Sequence, residues 1–276
     1  MPALFKACVT TQTPDLAEAF FENAGAVAQA VGLPQASGTR IEAYFTEAPE
    51  FGVLPFAHGD FNIEHVPDED WVARSQQNLP PVPAPPFLLF GRHDRPDTRR
   101  ARHHIEVDAG LAFGSGHHET TLGCLRLLTD VLKGRRPCHA ADIGTGSGIL
   151  AIAVAKAGCR HVFACDNDPD AVRVARQNFK INALPANIRP LWCSGLAHPA
   201  ARQAEPFDLI MANILATPLI DMAPAIAAHL APGGQIILSG LLHTQKKRVL
   251  ARYRQLGLTI QKDIRIGPWT SLMFQR

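Results

Sequence analysis

Asp142-Ile143-Gly144-Thr145-Gly146-Ser147-Gly148 is the stretch on which the fold turns. It closes an apolar strand predicted over Cys138 to Ile143, bends on three alternating glycines, and opens an alanine-rich helix predicted over Gly148 to Ala157. A strand, a glycine turn and a helix in that order set the turn at the carboxyl edge of a sheet, where open α/β sheets take their ligands. Glycine reaches positive φ without a side-chain clash and lets the backbone come close to a ligand. Gly144 and Gly146 are therefore candidate cofactor-binding residues.

The spacing narrows the cofactor. The dinucleotide fingerprint G-x-G-x-x-G/A requires a small third residue, and this chain has Ile149 there. That argues against a nicotinamide oxidoreductase, which calorimetry with the two cofactors would separate. Asp166 ends the apolar run His161-Val162-Phe163-Ala164-Cys165, at an offset from the loop where a carboxylate accepts from ribose hydroxyls. A G-x-G-x-G loop with such an acid fits S-adenosylmethionine, which carries a ribose and no pyrophosphate.

Outward from the loop, strands and helices alternate. Helices are predicted over Pro169 to Asn182, Thr217 to Leu230 and Thr244 to Leu256, and strands over His161 to Asp166, Ile188 to Cys193, Phe207 to Ala212, Gln235 to Ser239, Leu258 to Ile266 and Trp269 to Gln275. This rhythm means a doubly wound, mostly parallel sheet, here ending in an antiparallel hairpin at Gly267-Pro268. The leading part reads as a small α/β unit: a strand over Leu4 to Val9, a helix over Pro14 to Val31, a strand over Arg40 to Phe45 and a short helix over Asp68 to Gln77. Pro80, Pro81, Pro83, Pro85 and Pro86 read as an extended connector, which divides the chain into 1–85 and 86–276.

Composition sets outer limits. With 276 residues, 46% hydrophobic and 19% charged, the chain is an ordinary globular protein, and a net charge of +2 does not call for a nucleic-acid or membrane partner. Basic residues gather in Arg92 to His104 and in Lys246 to Arg254, runs that read first as solvated faces and second as a contact for an anion such as RNA. The six cysteines contain no C-x-x-C pair, so neither disulfides nor zinc is expected. No leader and no 18-residue apolar run is visible, and the expectation is a soluble cytoplasmic monomer without stable nucleic-acid binding. Trp71, Trp192 and Trp269 read as core rather than as a stacking platform.

Three segments together carry a resemblance. They are Asp108 to Thr121 (D-A-G-L-A-F-G-S-G-H-H-E-T-T), Asp142 to Ala153, and Phe207 to Leu219 (F-D-L-I-M-A-N-I-L-A-T-P-L), with Pro232 to Gly240 behind the last. The middle one belongs to class I methyltransferases in general; the outer two are narrower and resemble the ribosomal protein L11 methyltransferase family. The resemblance implies a class I seven-stranded sheet and transfer of methyl groups from S-adenosylmethionine to amino groups, on lysine side chains or the α-amine, of a large-subunit ribosomal protein. It carries cofactor contacts onto Thr121, Gly144, Asp166 and Asn213. It also shows departures, Gly114-Ser115-Gly116 where the family loop reads G-T-G, and Ser194-Gly195 where an acid is expected.

Methyl transfer from a sulfonium needs alignment rather than a nucleophilic side chain. The acceptor amine must be neutral, which a dry site favours. Asn213, ending an apolar strand beside the glycine loop, is the candidate catalytic residue. Phe113 to Thr121 is read as a loop folding over the donor's methionine end, with Phe113 a cofactor contact and Thr121 capping a helix that begins near Leu122. His117, His118 and Glu119 lack metal-ligand spacing, so no metal is expected. Alternative functions are methylation of another protein's lysines or of a small amine, and a non-catalytic, donor-binding, RNA-associated protein.

Overall fold

The computed structural model describes residues 4–26, 28–31, 37–45, 47–66, 81–91, 101–107, 119–204 and 206–276. The chain divides into two compact units, Met1–Ala73 and Arg74–Arg276. The helix expected over Asp68 to Gln77, Trp71, Phe113 and most of the loop before Thr121 lie outside the described residues.

In the first unit, strands β1 (Leu4–Thr11), β2 (Ala28–Val31), β3 (Thr39–Phe45) and β4 (His58–Val66) form an antiparallel sheet in the order β2-β3-β1-β4. A helix spans Pro14–Asn23, with Pro14 at its start, where the missing N–H is harmless, and Asp15 in its first turn. The sequence pattern alone carries this helix on to Val31. It stops eight residues earlier, since Gly25 at φ 88° turns the chain and Ala28–Val31 pairs with β3 instead. Pairing with a neighbour overrides local helix propensity here. Phe21, wholly buried, packs edge-on against Phe51 at 5.5 Å and Phe56 at 6.3 Å, and such aromatic packing gives a small sheet a core.

The second unit begins with β5 (Val82–Ala84), β6 (Phe87–Gly91) and β7 (His103–Val107), ordered β5-β6-β7. Pro83 is therefore a strand residue and Pro85-Pro86 the turn of a hairpin, not part of an extended connector. The large sheet contains β8 (His139–Ile143), β9 (His161–Asp166), β10 (Pro190–Trp192), β11 (Phe207–Asn213), β12 (Leu230–Leu242), β13 (Thr259–Ile266) and β14 (Trp269–Gln275). Its order is β10-β9-β8-β11-β12-β14-β13. All neighbours run parallel except β14, which is antiparallel to both β12 and β13. Strand order reverses between β8 and β11, and that reversal opens a crevice at their carboxyl ends.

Side chains alternate across this sheet as the two-residue period requires. Leu209 and Met211 of β11 enter the core layer that holds Leu125, Leu128 and Ile152. Ile210 and Ala212 enter the opposite layer with Phe207, Tyr253 and Phe274. Cys124, Cys159 and Cys165 are buried free thiols among these layers, and burial pushes each up, Cys124 to about 12 and Cys159 to about 11. The helix expected over Thr217 to Leu230 is two, Ala216–Asp221 and Ala223–His229, with Pro224 in the first turn of the second. Pro232-Gly233-Gly234 lies within β12, where the register to β11 jumps from Leu230 to Gln235. Among the described residues no helix is long and apolar enough to cross a membrane.

Candidate functional site

The glycine loop is held in shape from below. Asp142, 1% exposed at the end of β8, accepts from the Thr145 hydroxyl at 2.7 Å and from the Ala151 N–H at 3.0 Å through Oδ2. The Asn178 amide donates to the Ser147 carbonyl at 2.8 Å, and the Thr145 N–H donates to the Cys165 carbonyl at 2.9 Å. Gly144, Gly146 and Gly148 all have positive φ, at 67°, 53° and 87°. A side chain at Gly144 would collide with Ile214, and one at Gly148 would sit 2.6 Å from the Phe179 ring. Glycine at 144 and 148 is thus required by packing within the protein as well as by backbone conformation.

Burial pushes the Asp142 carboxyl up to about 6, aided by the like charge of Asp166 and opposed by the Thr145 and Ala151 donors. An acid raised in the fold above its ordinary 3.8 keeps its proton in the native state after the unfolded chain has lost it. The native state therefore binds more protons through that window, and the stability this group supports falls as pH rises from about 4 to about 6. A rise of that size corresponds to roughly 3 kcal/mol. Asp142→Asn keeps an oxygen for Thr145 and Ala151 and cannot ionise. Its unfolding free energy relative to the parent should rise by roughly that amount between pH 4 and pH 7 in denaturant titrations, and a difference independent of pH would refute the argument.

Asp166 ends β9, 9% exposed, at the same carboxyl edge. Its Oδ2 accepts from the Gly146 N–H at 2.8 Å and its Oδ1 from the Asp168 N–H at 3.1 Å. The predicted ribose anchor and the glycine loop are therefore one hydrogen-bonded unit. Asp168 in turn caps the helix Pro169–Ile181 by accepting from the Asp170 N–H at 2.8 Å.

Across the strand reversal, Asn213 ends β11, half-buried, and its Nδ2 donates to the Thr121 hydroxyl at 3.5 Å. These two residues, 92 positions apart in sequence, meet because two further residues bring them together. Ser239 is the register partner of Asn213 on β12, and its hydroxyl donates to the Thr120 carbonyl at 3.1 Å. Gly240, at φ 84°, leaves room for the Ile214 backbone that a side chain there would strike. Sequence reasoning gives Ser239 and Gly240 no role of their own; the signal available is a glycine placed directly after an apolar strand.

Thr121 corrects one expectation. The helix starts at Glu119, not near Leu122, so Thr121 lies inside its first turn, 3% exposed, and is not its cap. Trp192 corrects another. It is 68% exposed at the carboxyl end of β10, is the register partner of Asp166, and donates from Nε1 to the Asn167 carbonyl at 3.0 Å. The alternation of its strand fails as a guide because β10 is three residues long and lies at the sheet edge. Cys193 to Leu196, where an acid is expected, makes a tight turn with Gly195 at φ 61°, its carbonyl accepting from the Cys165 and Cys193 thiols at 3.7 Å each.

Gly144, Gly146, Asp166, Thr121 and Asn213 thus share one edge of the sheet; Phe113 lies outside the described residues. Comparison with known proteins identifies the family. The family described as Ribosomal protein L11 methyltransferase (PrmA) matches residues 11–276. A ribosomal protein L11 methyltransferase of Bradyrhizobium diazoefficiens is 43% identical over 270 residues, covering 95% of this chain and 91% of that protein. One from Brucella suis is 48% identical over 214 residues, covering 78% and 75%. The crystal structure of ribosomal protein L11 methylase from Lactobacillus delbrueckii subsp. bulgaricus superposes with a TM-score of 0.64 at 30% identity, covering 72% of this chain and 99% of that one. With a match across nearly its whole length and a sheet of the expected order, the chain belongs to the ribosomal protein L11 methyltransferase family.

Proposed function

We propose that this chain is a protein N-methyltransferase that moves methyl groups from S-adenosylmethionine to amino groups of ribosomal protein L11, on lysine side chains or on the α-amine. The observation that carries the reading is the meeting of Asn213 with Thr121 at 3.5 Å beside a glycine loop whose Gly146 N–H is held by Asp166.

The residues at this edge fit such a donor. A carboxylate offers about four acceptor positions, and Asp166 uses one on Gly146 and one on Asp168, leaving capacity for the two ribose hydroxyls. The exposed Trp192 ring stands at the end of the adjacent strand, a flat apolar face suited to a purine. Gly144 and Gly146 are half-buried at the rim, and Thr121 and Asn213, across the strand reversal, would hold the methionine end. When bound, S-adenosylmethionine supplies a methyl group already activated on sulfur.

The chain's own residues would then orient the amine. Asn213 donates from Nδ2 to Thr121, and its Oδ1, without a partner among the described residues, is free to accept from an incoming N–H. An amine held in this way would be free to turn its lone pair toward the methyl group. Leu215, 65% exposed two residues on, offers an apolar surface for the aliphatic stem of a lysine. We read the first unit, which ends at Ala73 rather than at the residue 85 that the prolines suggest, as the one that docks the protein substrate, the second as the methyltransferase unit, and the whole as a cytoplasmic monomer. The small sheet carries the ion pairs Lys6–Glu64 at 2.5 Å and Arg40–Glu42 at 3.0 Å, which support a polar docking surface.

Incubation of the purified chain with radiolabelled S-adenosylmethionine and free ribosomal protein L11 should place label on L11 amines, mapped by peptide mass in 14-dalton steps. Donor binding without label on any L11 amine would defeat the reading, and label on another protein alone would reassign the acceptor.

A further inference from the structure

A second concave site lies at the opposite edge of the large sheet. Arg102 and His103, the described end of the basic run noted in the sequence, line a cavity of about 350 Å³ with Lys133, Arg136 and Lys156. The helix Ile149–Lys156 starts at the glycine loop and returns to the amino ends of the strands, where the Cys138 carbonyl accepts from the His161 N–H. Lys156 is at its far end, so this cavity and the methyl-transfer edge face opposite ways along β8 and β9.

The cationic groups exceed what local structure requires. The helices Glu119–Gly134 and Ile149–Lys156 both end here, each presenting about half a negative charge that one lysine offsets. Lys133 is further paired with Asp130 at 2.7 Å, a carboxylate shared with Lys262 at 2.6 Å, and Glu106 acts electrostatically on Lys156. Among the described residues Arg102 and Arg136 make no ion pair. The crowding is felt by His103, which burial first, and then Arg102, Lys156, Arg136 and His104, hold below the ordinary histidine value.

Two guanidinium forks and an ammonium converging on one cavity match a tetrahedral oxyanion. Among the described lining residues none is Phe, Tyr or Trp, and the His103 ring packs on Phe87 at 5.4 Å, so the lining offers cationic groups rather than an aromatic platform. The chemistry recognised is the phosphate, not the nucleobase.

We propose that this cavity is a phosphate-binding site, filled either by the backbone of an RNA or by a free polyphosphate, and separate from the donor crevice. The test uses the full chain and two probes, inorganic pyrophosphate by calorimetry and a fluorescent 12-nucleotide RNA by anisotropy across a salt series. The double variant Arg102→Gln with Arg136→Gln alters two exposed side chains, and Lys247→Gln with Arg248→Gln, in the other basic run, is the control. The first double variant should weaken pyrophosphate binding about tenfold or more, and the control should not. If RNA is the source, the slope of log K against log salt should flatten by about 1.4 in the first double variant, roughly 0.7 for each lost contact. A pyrophosphate loss with an unchanged RNA slope assigns the site to a free polyphosphate. Binding of neither probe, or equal binding by the parent and the first double variant, overturns the proposal.

Discussion

Asn213→Ala should lower kcat by roughly 10²–10³-fold, the range found when one preorganised hydrogen-bonding group is removed from a reacting centre. The argument is positional. Leu209, Ile210, Met211 and Ala212 are all fully buried, so β11 keeps its packing when the side chain after them is shortened. What disappears is an amide that donates to Thr121, whose helix is tied to β12 by the Ser239 hydroxyl donating to the Thr120 carbonyl. An alanine cannot accept a hydrogen bond from the amine and so cannot orient it, and the alignment of nitrogen, methyl and sulfur is lost. Thermal melting should move by only a few degrees and donor affinity should fall far less than turnover. An unchanged kcat on L11 would remove Asn213 from the chemistry, whereas a collapsed melting transition would mean that the residue is structural.

The sheet is legible where side-chain period and punctuation agree. The spans predicted over His161 to Asp166 and Trp269 to Gln275 match the observed strands to the residue, the first closing on an aspartate and the second opening after Gly267-Pro268. The glycine loop, Asp166 and Asn213 are legible for the same reason, since each ends an apolar strand. Legibility fails where a distant partner decides the outcome. Ala28–Val31 becomes a strand because β3 lies beside it, and Pro83 becomes one because Phe87–Gly91 folds back on it. Thr121 reads as a helix cap because the preceding glycines conceal that the helix already begins at Glu119. Trp192 reads as core because an indole is apolar, and only the sheet order shows that its strand is the edge. The positioning roles of Ser239 and Gly240 depend on the parallel register of β12 with β11, which no local pattern encodes.

Asp166→Ala should weaken S-adenosylmethionine binding by roughly 10- to 100-fold, which corresponds to the 1.5–3 kcal/mol typical of hydrogen bonds to a charged group. Two losses combine. The carboxylate no longer accepts from the ribose hydroxyls, and the Gly146 and Asp168 N–H groups lose the oxygens that now receive them at 2.8 and 3.1 Å. Gly146 at φ 53° is held on the rim by that bond, so the loop relaxes as the ligand contacts vanish. Asp166→Asn distinguishes the two. Its single oxygen can serve Gly146 or Asp168 but not both, so it should fall between the parent and the alanine variant. Trp192→Ala isolates the adjoining aromatic face, leaving both backbone bonds intact, and should cost about 1–3 kcal/mol if a purine stacks there. Removing the Asp166 charge also withdraws one of the influences that raise Asp142, so the acid-side stability window of the alanine variant should shift to lower pH. Calorimetric titration of donor into each variant measures the first effect, and an affinity unchanged in Asp166→Ala would place the sugar elsewhere and dissolve the link between this carboxylate and the cofactor.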